Sequence, residues 1–253
     1  MVARYLVTLE YRGTPFHGFQ KQPGLPTIQG ALESALVAFT GEELRSQGAG
    51  RTDTGTHALC QAAAFDLPYE VDEARTIVSI NALLPNGVSV TSMRRVRDGF
   101  DPRRDASWRE YRYFILNRAA PSALLDEFTY HFTGSLELER MREACSACLG
   151  EHDLSAFKAK PQEESSIRNI MVCEIVEVFP GFLNFVVRAN SFLYKMVRIM
   201  AGALVSVGSE RMTVEEFSSY LEKGGASPCA DPLPARGLFL WLVEYPPEVF
   251  VVE

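Results

Sequence analysis

No run of apolar residues in this chain approaches the roughly 20 needed to cross a bilayer as a helix, so the sequence predicts no membrane partner. The first residues, MVARYLVTLEY, alternate like a strand and lack the apolar block of a signal peptide. The cysteines number five, an odd count that argues against a disulfide framework. A reducing cytoplasm is the simplest compartment for such a chain. Metal ligands are also sparse. Cys145 and Cys148 form a CxxC pair, yet only His152 lies near them in sequence to help. On a helix that spacing puts both thiols on one face with Met141, the pattern of a buried core. An overall positive charge is missing too. The net charge of −7 speaks against general polyanion binding.

The distribution of charge says something different. Between Arg94 and Arg118 stand eight arginines and four acids, so this segment is +4 and the rest of the chain −11. A concentrated arginine patch on an acidic body points to a directed phosphate or RNA contact, with a solvated basic face as the alternative. The 47% apolar and 23% charged content is that of an ordinary globular protein. At 253 residues the chain suffices for one large domain or two modest ones.

The pattern along the chain alternates strands and helices. Tyr5 to Tyr11 reads as a strand. A loop rich in Gly and Pro follows, RGTPFHGFQKQPGLP, and carries Phe16, His17, Phe19, Gln20 and Gln22. Such aromatics and amides suit base stacking and hydrogen bonding, or else they tuck into the core. Thr27 caps a helix that Gly41 stops. Then come a strand from about Cys60 to Leu67, a helix from Glu73 to about Leu84 opened by Asp72, and a strand from Val88 to Val96. This is close to a ferredoxin-like order with one strand not evident. Trp108 to Asn117 is a strand with Arg109, Tyr111, Tyr113 and Ile115 on one face. Leu136 to Leu149 is a helix, and Ile167 to Phe179 with Phe182 to Asn190 make a hairpin across Pro180-Gly181. A helix then runs toward Gly208, another spans Thr213 to Leu221, and Leu238 to Tyr245 is a last strand.

One stretch stands apart, Gly50-Arg51-Thr52-Asp53-Thr54-Gly55-Thr56-His57. Two glycines bracket a single carboxylate, which makes a shaped loop able to present a nucleophile or a base. The alternative is an Asx-type turn in which Asp53 caps its own backbone. His57 reads as a structural hydrogen-bonder that fixes the loop. Further on, Arg198 lies in an apolar helix, where burial demands a carboxylate partner. Asp53 is the obvious candidate, unless Arg198 snorkels to solvent. Tyr111 sits beside cations and aromatics, fit to stack on a base, or else is a half-buried strand tyrosine.

These pieces together carry a resemblance. GRTDTGTH, HGFQKQ with TIQGALESAL, INALLP, FDPRRDA, REYRY and FLYKMVR occur in this order, and by them the chain resembles the tRNA pseudouridine synthase A family along essentially its whole length. The resemblance implies an α+β, duplicated ferredoxin-like fold, with a mixed or antiparallel sheet across two subdomains and a central cleft. The division expected is 1–105, holding the Asp53 loop, and 106–253. It implies a homodimer that needs no cofactor, and isomerisation of uridine to pseudouridine at positions 38–40 of the tRNA anticodon arm. Asp53 resembles the catalytic aspartate, Tyr111 the tyrosine stacked on the target base, and Arg198 the basic partner of the aspartate. Arg51 resembles the arginine that fills the gap left by the flipped base. Phe16, Gln20, Arg103 and Arg109 are the remaining candidates for tRNA contact. Lys195 stands where a histidine is expected before MVR, and the charged Asp101-Pro102-Arg103-Arg104 where a less charged loop is expected. Two rivals remain. A glycoside hydrolase needs a second carboxyl that no matching loop supplies. A non-catalytic RNA-binding module has no use for a positioned Asp53.

Overall fold

The computed structural model describes residues 2–159 and 165–251. The chain divides into two compact units, Met1–Ser107 with Leu240–Glu253, and Trp108–Phe239. The C-terminal stretch therefore groups with the first unit, where the division by sequence had kept it with the second.

The first unit runs β1 (Ala3–Tyr11), α1 (Ile28–Thr40), β2 (Gln47–Gly48), β3 (His57–Leu67), α2 (Glu73–Leu83) and β4 (Val88–Arg95). This is the full strand-helix-strand-strand-helix-strand order. The strand that the pattern did not reveal is β2, only two residues long and too short to show alternation. It pairs antiparallel with β3, β3 with β1, and β1 with β4, giving the order β4–β1–β3–β2. Local chemistry sets the helix ends. The Thr27 hydroxyl accepts from the Gly30 N–H at 3.2 Å, and Gly41 closes α1 with φ 79°. Asp72 accepts from the Arg75 N–H at 2.9 Å to start α2. Ile28, Leu32, Ala35 and Leu36 of α1 are buried, as are Tyr5, Val7 and Leu9 of β1.

The second unit begins with β5 (Trp108–Asn117) and β6 (Tyr130–Phe132), which pair in parallel. Then come α3 (Leu138–Ala147), β7 (Gly150–Asp153), β8 (Ile167–Phe179), β9 (Phe182–Ala189), α4 (Met196–Gly208) and α5 (Val214–Lys223). The last strand, β10 (Leu238–Glu244), begins in this unit and ends in the first. The succession β5, α3, β8, β9, α4, β10 repeats the order of the first unit, with β6, β7 and α5 as additions. The antiparallel order β5–β9–β8 corresponds to β1–β3–β2. The protein is thus an α+β fold built twice on the ferredoxin-like plan, without visible repetition in sequence.

Helix α4 is buried almost throughout and is the centre of the second core, against Tyr113, Ile115, Phe185 and Val187 of the sheet. Cys145, Cys148 and Cys173 lie in the same core. The neighbouring thiols Cys145 and Cys148, with burial, push the Cys173 pKa up. The CxxC pair is accordingly core packing.

Candidate active site

The connection from β2 to β3, residues 49–56, carries the lone acid. It is fixed by contacts from outside itself. The Tyr11 and Thr52 hydroxyls lie 2.8 Å apart, both side chains buried. The Phe19 N–H donates to the Thr52 carbonyl at 3.1 Å, and the Gln61 amide donates to the Gly50 carbonyl at 3.0 Å. Within the loop, the Thr56 N–H donates to the Asp53 carbonyl at 3.0 Å, closing a tight turn. Two glycines of the preceding loop let its backbone approach. A Cβ on Gly13 would lie 2.0 Å from the Thr56 carbonyl oxygen. Gly18 has φ +84°, and a Cβ there would lie 2.6 Å from the Thr52 carbonyl oxygen. His57 is 1% exposed, and its Nδ1 accepts from the Gly13 N–H at 3.1 Å. That bond assigns the ring proton to Nε2 and makes His57 a brace of the loop, as its sequence position had suggested. Asp53 itself is half-buried and Arg51 exposed. The arrangement presents one carboxylate from a backbone held on both sides.

In the second unit the candidates gather around the start of α4. Lys195 stands before the helix in the left-handed region, φ 60°, a conformation unusual for a side-chain-bearing residue. The Arg198 Nε donates to the Leu233 carbonyl at 2.6 Å, and the Leu233 N–H returns a bond to the Arg198 carbonyl at 3.1 Å. Gly202 lets this segment come close, since a Cβ there would lie 2.3 Å from the Asp231 carbonyl oxygen. The Tyr113 hydroxyl donates to the Pro234 carbonyl at 2.7 Å. Burial pushes the Tyr113 pKa well up, with the Arg198 guanidinium pulling the other way. Tyr111 is half-buried on the same strand face, its ring edge-on to Phe192 with centroids 4.8 Å apart. Tyr111 and Arg198 thus flank one α4 start, each set by packing rather than by a loop.

Comparison with known proteins bears on these residues. A family model described as tRNA pseudouridine synthase matches residues 144–246. A tRNA pseudouridine synthase A of Methylobacterium radiotolerans is 38% identical over 250 residues, covering 96% of this chain and 98% of that protein. The Neisseria gonorrhoeae protein of the same name is 37% identical over 96% of this chain and 92% of its own length. The one from Bacillus subtilis is 35% identical over 96% and 99%. The chain belongs to the tRNA pseudouridine synthase A family.

The structure of this family member sorts the remaining candidates. Gln20 is exposed on the loop before α1. Arg103 is exposed on a turn whose Asp101 carboxylate accepts from the Arg103 and Arg104 N–H groups at 2.8 and 3.0 Å. Two further candidates are buried. Phe16 is 6% exposed and Phe19 2%, with the Phe19 ring against Gly48. These aromatics fill the space under the loop, because an apolar ring gains more from burial than from water. Phe16 is therefore not an open stacking surface. Arg109 is 8% exposed and donates to the Asn190 carbonyl at 2.9 Å. Its guanidinium braces the chain after β9, where an open phosphate contact was expected. Sequence reasoning passed over Tyr11, Gly13, Gly18 and Gln61 as parts of the site. The glycine spacing in RGTPFHG was the available signal for the close approach.

Proposed function

We propose that this protein is a tRNA pseudouridine synthase that isomerises uridine to pseudouridine in the anticodon arm, at positions 38–40. The observation that carries the reading is the Asp53 loop, a single carboxylate on a fixed backbone in a chain whose relatives carry that name over nearly their whole length. The N1–C1′ bond breaks, the uracil turns while held, and C5 bonds to C1′. The atoms of substrate and product are the same, so the chemistry calls for no redox partner. Asp53 acts on the sugar as an anion, by attack at C1′ or by removal of the C2′ proton, and both routes need it ionised.

The target base must leave the stack, which costs a few kcal/mol. Stacking on Tyr111 returns about 1–3 kcal/mol of that. Arg198 serves as the basic partner of Asp53, and Arg51 occupies the gap left by the base. Gln20 and Arg103 are exposed and suited to the RNA backbone. The enzyme works as a cytoplasmic homodimer. Among the described residues no helix is long and apolar enough to cross a membrane.

The test is conversion of a tRNA transcript by Asp53→Asn, with binding measured in parallel. Conversion lost with affinity kept supports the reading. Conversion at the parent rate overturns it, and loss of both in step makes the loop a binding surface. A second measurement is the salt dependence of affinity. A steep fall with added salt is expected from counterion release, and a flat response removes the arginine segment from the contact.

A further inference from the structure

Two stretches of chain hold the 49–56 connection. One is the loop before α1, whose Phe19 N–H donates to the Thr52 carbonyl beside Asp53. The other passes through buried Ser46 into β2, which runs straight into the connection. Both meet one side chain, Gln29, in the first turn of α1. It lies in the TIQGALESAL stretch. The Lys21 N–H donates to Gln29 Oε1 at 3.0 Å. Gln29 Nε2 donates to the Ser46 carbonyl at 2.8 Å and to Glu33 Oε1 at 3.1 Å. A primary amide can do this because it carries an acceptor and a pair of donors on one carbon. Its partners also fix its orientation, since an N–H faces the oxygen and a carbonyl faces the nitrogen.

The backbone of Gln29 joins in. Its N–H donates to the Phe19 carbonyl at 2.9 Å, and the Ile28 N–H donates to the Gly18 carbonyl at 3.3 Å. Phe19 thus links Gln29 to Thr52 through one residue, by its carbonyl on one side and its N–H on the other. The Phe19 ring lies against Gly48 of β2, where a Cβ would come within 2.3 Å of it. The bonds of the Gln29 side chain are not what makes α1 a helix. Thr27 caps its start, Gly41 closes its end, and Ile28, Leu32, Ala35 and Leu36 bury its inner face. The amide instead reaches from the helix to a loop and to the short approach to β2. Neither segment has a long ladder of its own to hold it.

We propose that Gln29 is a positioning residue for the reaction. It sets the spacing between the loop before α1 and β2, and through them the place of the Asp53 carboxylate. The proposal rests on Asp53 acting at the sugar and adds what holds it there. A reacting group displaced by about 1 Å loses about 100-fold in rate. The exposed side chains of the loop, Gln20 among them, stay on the surface when the amide of Gln29 is lost. The signature of Gln29 is therefore in the chemical step and not in tRNA affinity.

The experiment compares Gln29→Met and Gln29→Asn with the unaltered full chain. Conversion of a tRNA transcript in single turnover, affinity for the same transcript and a denaturant melt are measured for each. Methionine is as long as glutamine and forms none of these hydrogen bonds. Asparagine keeps the amide on a shorter stem, so it reaches one segment and not both, and it decides the matter where Gln29→Met does not fold. Thr40→Val is the control. It removes the 2.8 Å bond from the Thr40 hydroxyl to the Leu36 carbonyl at the far end of the same helix. Each Gln29 variant is expected to convert at least about 30-fold more slowly per folded molecule, with affinity within about threefold of the parent. The control is expected to convert at the parent rate. A Gln29 variant that melts earlier but converts at the parent rate per folded molecule overturns the proposal, by making Gln29 a brace of the fold alone. Equal losses of rate and affinity also overturn it, by making the loop before α1 a binding surface. Asp53→Asn is run beside them, and conversion at the parent rate there overturns the Asp53 reading itself, whatever the Gln29 variants do.

Discussion

The two units solve the same topological problem in opposite ways at their central hairpin. In the second unit β8 and β9 run 13 and 8 residues and turn across Pro180-Gly181, with Gly181 at φ +77°. Long paired strands hold that turn, with one bond from outside, the Asn117 N–H donating to the Gly181 carbonyl at 2.6 Å. In the first unit the equivalent hairpin is β2 and β3, and β2 has only two residues. Pairing is given up there for the loop that carries Asp53. Its order comes from elsewhere, from Tyr11, Gly13, Gly18, Phe19 and Gln61. The lesson is that a duplicated fold frees one copy of an element. A hairpin needed for stability stays tight, and its counterpart opens and is braced from outside to hold a reactive group.

The sharpest way to break this comparison is Asp53→Asn. Pseudouridine formation in single turnover is expected to fall at least about 1,000-fold, with tRNA affinity within a few-fold of the parent. The next is a pair of glycine variants. Gly13→Ala forces its Cβ into the Thr56 carbonyl and is expected to cost more than about 2 kcal/mol of stability. The folded fraction should also turn over more slowly, because the brace of the Asp53 loop has moved. Gly181→Ala also meets backbone, the Asn117 carbonyl oxygen at 2.5 Å, and should lose comparable stability. Its turnover per folded molecule should stay at the parent value. Denaturant melts with active-site titration separate the two, and equal losses of turnover would erase the distinction between the hairpins.

A smaller effect is expected from Tyr111→Phe, about tenfold in conversion, since the substitution keeps the stacking ring and removes only the polar hydroxyl. Affinity should change less, and an equal loss in both would make Tyr111 a plain binding residue. The smallest effect concerns the short strand. Glu33 of α1 is 6% exposed and accepts from the Ser46 N–H at 3.0 Å, from the Ser46 hydroxyl at 3.2 Å and from Lys21 at 2.9 Å. Burial alone would raise its pKa, but the Ser46 amide and Lys21 outweigh it and hold the carboxyl below its ordinary value. The unfolded chain therefore takes up this proton first as pH falls. Its stabilisation is complete above the ordinary glutamate range and is lost as pH drops through the lowered value. Glu33→Gln should cost about 1–2 kcal/mol at neutral pH and flatten the acid side of a stability profile. An unchanged profile would release β2 from Glu33.

Much of the fold was legible. The caps Thr27, Asp72 and Thr213 announced their helices, and Trp108–Asn117 alternated cleanly enough to give β5 its observed ends. The strand β2 was not legible, since two residues carry no period. Glu33 was hidden for a related reason. A charged residue on a helix reads as solvated until its partners, up to 13 residues away, are brought to it. The burial of Arg109 and Phe16 was not legible either, because residue type says what a side chain can touch and only the fold decides how deeply it lies.

By itself the sequence determined the chemistry on offer and the order of elements, because capping, alternation and a glycine-bracketed acid are local properties of neighbouring residues. Only the tertiary structure decided which polar groups are braces and which stand open. That choice depends on distant backbone, such as Gly13 against Thr56 or Leu233 against Arg198. Contacts of this kind join residues that no sequence period connects, so they exist only once the chain has folded.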